Sequence, residues 1–84
     1  MLQAWLDAPR ALRLRDAPIP VPDRGEVVVR VHVALTCGTD LKTYRRGHAR
    51  LPFGLFGHEG AGEVVAVGEG VSHLQVGQRV TWLP

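Results

Sequence analysis

At 84 residues the chain has room for one small domain, in a range where folding buries only about 60–65% of the surface the unfolded chain exposes, so marginal stability is expected. A composition of 45% hydrophobic and 21% charged residues excludes the disordered class, and no apolar run approaches the roughly 20 residues of a membrane span. Ten basic and eight acidic residues, net +2, are interleaved and leave no stripe for a nucleic-acid backbone, while the single cysteine, Cys37, excludes an internal disulfide framework and fits a reducing compartment.

The apolar start, Met1-Leu2-Gln3-Ala4-Trp5-Leu6-Asp7, is too short for a signal-peptide core, so a cytoplasmic protein is expected. Glycine, proline and aspartate punctuate the chain at short intervals between valine-rich segments, which predicts a mainly β fold. Residues 1–6 and 11–15 read as two strands of a hairpin, turned at Asp7-Ala8-Pro9-Arg10. Pro18, Pro20 and Pro22 remove three amide donors in five residues, so that stretch is extended coil or an exposed edge. Over residues 26–36, Val27, Val29, Val31, Val33 and Leu35 take every odd position, and Glu26, Arg30 and His32 even ones, which predicts a strand with one buried and one wetter face. His32 lies on the wetter face and reads as a surface histidine.

Residues 38–46 are expected to hold a short helix, capped by Thr39 or Asp40 and closed by Gly47. The one basic cluster, Lys42, Arg45, Arg46 and Arg50, reads as a solvated helix end and loop. A second valine-rich strand is predicted over residues 63–67, then a turn at Gly68-Glu69-Gly70, then a third strand over residues 76–83, split by Gly77. Pro84 follows directly on a strand pattern, an ending expected of a truncated chain.

Two clusters carry chemistry: Cys37-Gly38-Thr39-Asp40 after the long strand, and Gly57-His58-Glu59-Gly60-Ala61-Gly62 before the next. Both are expected on loops. A thiolate, an imidazole and a carboxylate are ligand types that zinc takes, and loops anchored at strand ends can bring them together. Asp40 is a candidate acceptor for the His58 ring nitrogen turned away from a metal. Gly57, Gly60 and Gly62 are expected to let the backbone turn tightly around His58 and Glu59, or to be ordinary turn glycines. The pattern Gly-x-x-Gly-x-Gly precedes a strand and differs from the dinucleotide fingerprint Gly-x-Gly-x-x-Gly, and His58-Glu59 lacks the second histidine of a zinc-protease helix.

Taken together, Cys-Gly-Thr-Asp at residues 37–40, Gly-His-Glu-x-x-Gly opening residues 57–62, Val-Gly-x-Gly-Val at 67–71 and Val-Gly-x-Arg-Val at 76–80 resemble the zinc-dependent alcohol dehydrogenases of the medium-chain dehydrogenase/reductase family. The resemblance runs from about Glu26 to Trp82. It implies a GroES-like, partly open β-barrel with one short helix, ending before the Rossmann domain. It implies Cys37 and His58 as two of the usual three protein ligands of a catalytic zinc, and Glu59 as a carboxylate beside the metal that can enter its coordination sphere. Thr39 corresponds to the hydroxyl that relays the proton of the alcohol, and Asp40 to the partner of the histidine.

Zinc lowers the pKa of an oxygen it holds, as it brings bound water to about 7, and this activation suits an alcohol that is to give up a hydride to NAD or NADP. The expected partner is therefore a small-molecule alcohol, with neither nucleic acid nor membrane, and the chain alone is expected to be inactive. Self-association through apolar surface left by truncation is expected as well. The family's common histidine three residues after the threonine is Lys42 here, which leaves the outer proton relay to Lys42 or to His48. Two other readings are a non-catalytic GroES-like binding module and a zinc-free quinone reductase. Neither needs Cys37, Thr39, Asp40, His58 and Glu59 together.

Overall fold

The computed structural model describes residues 1–48 and 53–82. Its elements, in chain order, are β1 (Leu2–Leu6), β2 (Leu12–Asp16), β3 (Val27–Leu35), α1 (Gly38–Arg46), β4 (Gly54–Leu55), β5 (Glu59–Val67) and β6 (Arg79–Trp82). The strands form two open three-stranded sheets, β2-β1-β4 and β3-β5-β6. The chain is thus mainly β with one helix among the described residues, as expected. It divides into two compact units, one of residues 1–18 with 35–57 and the other of residues 19–34 with 58–84. No helix among the described residues is long and apolar enough to cross a membrane.

In the first unit the expected hairpin forms: β1 and β2 pair antiparallel from Leu2 opposite Asp16 to Leu6 opposite Leu12. The turn closes through the Asp7 N–H on the Ala11 carbonyl at 3.0 Å. Alternation puts Leu2, Ala4 and Leu6 on one face with Leu12 and Leu14, yet only Leu6, at 2% exposed, is buried, while Leu2 and Leu14 lie in solvent. On the other face the Arg15 guanidinium lies 3.5 Å from the Trp5 ring centroid, a cation–π contact. The Met1 ammonium donates to Asp16 Oδ1 at 3.0 Å and, by that hydrogen bond first and its charge second, holds the carboxyl below its ordinary range. The pairing of β4 with β1, Trp5 opposite Leu55, has no periodicity behind it, because two residues cannot show one.

Arg10 ends the hairpin turn with φ 62°, the one positive φ outside glycine among the described residues, and its N–H donates to the Tyr44 carbonyl at 2.6 Å. That bond ties the turn to the last turn of α1. A side chain in the left-handed region costs about 1–2 kcal/mol, part of which glycine returns as extra unfolded-state entropy. Arg10→Gly is therefore expected to stabilise the chain by about 0.5–1 kcal/mol in urea unfolding; a lower midpoint at unchanged slope would contradict this.

The helix begins earlier than the expected caps. Cys37, with extended backbone, is the N-cap, and Asp40 is the third helical residue rather than the cap. The Asp40 carboxylate accepts the Cys37 N–H at 3.0 Å, the reciprocal arm of a capping box in which cysteine and aspartate stand for the usual Ser/Thr and Glu. At the other end Gly47 adopts φ 76° as expected, and its N–H reaches the Thr43 carbonyl at 2.8 Å.

In the second unit β5 lies between β3 and β6, and pairs β6 antiparallel from Gly60 opposite Trp82 to Glu63 opposite Arg79. Val64 is fully buried and its N–H donates to the Gln78 carbonyl at 2.9 Å. Three expectations need correction here. The strand predicted over residues 63–67 begins at Glu59, so Glu59 to Gly62 lie in a strand and not on a loop. The third strand starts only at Arg79, because residues 75–78 form a turn around Gly77 at φ 98°; Leu83 lies outside the described residues.

The third correction concerns β3. Val27 and Val29 are half-buried, but Val31, Val33 and Leu35 are 53%, 55% and 63% exposed. The alternation identified the strand correctly, while burial of its odd face needs a covering layer that no described residue provides over that half.

Candidate metal centre

Cys37 follows β3 by two residues, His58 directly precedes β5, and Glu59 opens it. A Cβ on Gly60 would lie 2.9 Å from the Val33 carbonyl oxygen, and one on Gly62 would lie 2.0 Å from that of Arg30. Rising numbers on β5 therefore meet falling numbers on β3, and the two neighbours are antiparallel. The chain leaves β3 toward Cys37 at the end of the sheet where it returns as His58 and Glu59.

Within the second unit His58 Nε2 stands 3.3 Å from Glu59 Oε1, with the two side chains 27% and 36% exposed. Half-burial keeps such a pair reachable from solvent while limiting its hydration. In the first unit Cys37 is half-buried at the start of α1, where the positive end of the helix dipole favours a negatively charged ligand atom. Thiol, imidazole and carboxylate, each half-buried, make a donor set of the kind zinc takes.

Thr39 is exposed in the first turn of α1, and its carbonyl accepts the Thr43 hydroxyl at 2.8 Å. Asp40 is 4% exposed, and its Oδ2 is engaged by the Cys37 N–H, so it braces the loop that presents the thiol. Lys42 is exposed and His48 half-buried; Arg45 and Arg46 are exposed in the last helical turn, and Arg50 lies outside the described residues. His32 is 54% exposed with Nε2 4.0 Å from Glu63 Oε2, the surface position expected of it.

The glycines divide differently from the expectation of a shared tight turn. Gly57, at φ 103°, supplies the turn into His58. Gly60 and Gly62 are strand residues whose missing side chains let β5 approach its neighbours. Sequence reasoning missed Trp82 and Thr81, which touch Gly60 from β6; the signal present was a glycine in a valine-rich stretch with an aromatic in the following strand.

Residues 23–84 match the family model of the alcohol dehydrogenase GroES-like domain. Among curated proteins, the chain is 41% identical over 78 residues to a sorbitol dehydrogenase of Gallus gallus, covering 87% of this chain and 22% of that protein. It is 40% identical over 78 residues to an alcohol dehydrogenase of a Moraxella species, covering 88% and 23%. It is also 41% identical over 73 residues to an L-threonine 3-dehydrogenase of Bacillus subtilis, covering 81% and 21%. The chain thus spans between a fifth and a quarter of the length of these relatives. With most of its length matched, including both candidate clusters, the chain belongs to the alcohol dehydrogenase GroES-like domain family.

Proposed function

We propose that these 84 residues are the GroES-like portion of a zinc-dependent alcohol or polyol dehydrogenase, and that Cys37 and His58 are ligands of its catalytic zinc with Glu59 at the metal's edge. The observation that carries the reading is the placement of the His58–Glu59 pair, 3.3 Å apart, at the end of the sheet from which the chain departs for Cys37. The donor set fits the metal, since a soft thiolate with imidazole and carboxylate suits zinc better than magnesium or calcium. When bound, zinc supplies Lewis-acid activation of an alcohol oxygen.

The protein's own groups do the rest. Cys37 is presented by the first turn of α1 and braced by Asp40, whose buried carboxylate is also the proposed acceptor for the His58 ring N–H, fixing its tautomer. Thr39, exposed beside Cys37, takes the alcohol proton and passes it outward to Lys42 or His48 in place of the family's histidine. NAD or NADP, held on a nucleotide-binding domain that these residues do not include, would supply the hydride acceptor, and a cytoplasmic enzyme acting on a small alcohol, with no nucleic acid or membrane as partner, is the corresponding reading.

Zinc titration of the purified chain, followed by calorimetry and thiolate absorbance, is expected to show saturable uptake of one ion per chain. No uptake at millimolar zinc would overturn the metal assignment. The same sample is expected to turn over no alcohol with NAD or NADP, and measurable reduction of either would refute the need for a separate cofactor domain.

Self-association is expected too, because Val31, Val33 and Leu35 on β3 and Leu2 and Leu14 on the first sheet are exposed. Light scattering over a concentration series checks it, and a monodisperse monomer at the highest concentration would count against it.

A further inference from the structure

The residue after the His58–Glu59 pair has no room for a side chain. A Cβ on Gly60 would lie 2.5 Å from Cζ2 and 2.7 Å from Cη2 of Trp82, besides the Val33 carbonyl oxygen on the other side. Gly60 and Trp82 are opposite in the β5–β6 register, so the indole rests on the bare Cα across the strand pair. From the neighbouring position the Thr81 hydroxyl donates to the Gly60 carbonyl at 2.8 Å. The backbone leaving the donor pair is therefore gripped by β3 along one edge and by Thr81 and Trp82 along the other.

We propose that Trp82 is a positioning residue for His58 and Glu59: by resting on Gly60 it fixes the backbone from which both donors project. Gly60 lies one residue past Glu59 and two past His58, too few bonds for the backbone to absorb a change before it reaches the donors. A large planar ring suits this role, because it covers the gap left by a glycine with few rotatable bonds to restrain. Its consequence for metal binding rests on the zinc reading above; the backbone claim does not.

The test has two arms on the 84-residue chain, using Trp82→Ala, Trp82→Phe and, as a control in the other unit, Trp5→Phe. Without metal, hydrogen exchange at the Glu59, Gly60 and Ala61 amides is expected to quicken about tenfold in Trp82→Ala and to stay near wild type in the other two. The Val64 amide, bonded to Gln78 at 2.9 Å, is expected to stay protected. Unchanged exchange at residues 59–61, or equal loosening at Val64, would overturn the proposal, the latter by making Trp82 a general stabiliser.

In the second arm Co²⁺ serves as the probe. Trp82→Ala is expected to lower its affinity about tenfold, as loss of support behind metal ligands commonly does, and to alter the ligand-field absorption at saturation, with Trp82→Phe restoring both. Equal cobalt affinity and identical spectra in all variants would overturn the proposal while leaving the metal assignment standing. If the wild-type chain takes up no cobalt and the exchange result holds, the metal assignment fails and the positioning role stands.

Discussion

Replacing Gly62 by alanine is expected to abolish the cooperative fold of the second unit. The added Cβ would sit 2.0 Å from the Arg30 carbonyl oxygen and 2.8 Å from Val29 Cγ1. A side chain can swing aside, but a strand's carbonyl oxygen moves only with its strand, so β3 would have to part from β5 by more than an ångström and lose ladder hydrogen bonds. Overpacking that side chains can absorb already costs about 1–3 kcal/mol, and this clash falls at or above the top of that range. Small domains have about 5 kcal/mol in total, and in the second unit Val64 is the buried apolar side chain among the described residues on which it rests.

Gly68→Ala meets a similar obstacle, the Asp23 carbonyl oxygen at 2.0 Å, and is expected to behave alike. At Gly38, a helical position, an added Cβ would have nothing within 4 Å; Gly38→Ala is expected to be neutral or slightly stabilising. Urea unfolding followed by circular dichroism separates the three, and a Gly62→Ala protein within 1 kcal/mol of wild type would defeat the argument.

What could be read from the sequence follows a physical division. Period-two valines located β3, and proline with aspartate located the turn between β1 and β2, because those signals act on the backbone of the same few residues. Gly47 as helix terminator was equally local. The capping box escaped because Cys37 and Asp40 are not the residues that usually form one, although their spacing of three was right.

Burial escaped for a different reason. Val31, Val33 and Leu35 alternate as a buried face would, but exposure depends on what covers the strand, and alternation carries no information about that. Gly60 and Gly62 show the same limit: a glycine is visible in sequence, whereas the carbonyl or indole that forbids its side chain belongs to another strand. At the candidate site, the residue types at 37, 39, 40, 58 and 59 were recognisable through the family pattern, while Thr81 and Trp82 became visible only once β6 was paired with β5.

The donor residues should separate sharply from their neighbours in metal affinity. Four-ligand zinc sites in small proteins bind with about 10–16 kcal/mol, on the order of 3 kcal/mol per ligand, which is about a hundredfold in affinity. Cys37→Ala and His58→Ala are each expected to lower zinc affinity of the chain at least hundredfold. Glu59→Gln, which keeps the shape and removes the charge, is expected to cost about tenfold if the carboxylate stands at the edge of the coordination sphere.

His32→Ala is the informative control. His32 has a carboxylate neighbour, Glu63 at 4.0 Å, much as His58 has Glu59, but it lies mid-strand on an exposed face and outside the Cys37, His58 and Glu59 donor set; its substitution is expected to leave affinity unchanged. His58 precedes the β5 ladder, so His58→Ala should retain the wild-type circular dichroism spectrum, and its loss of zinc can then be assigned to the imidazole itself. Equal losses in His32→Ala and His58→Ala would move the metal away from the Cys37, His58 and Glu59 set, and with it the catalytic centre proposed for the family's chemistry in this chain.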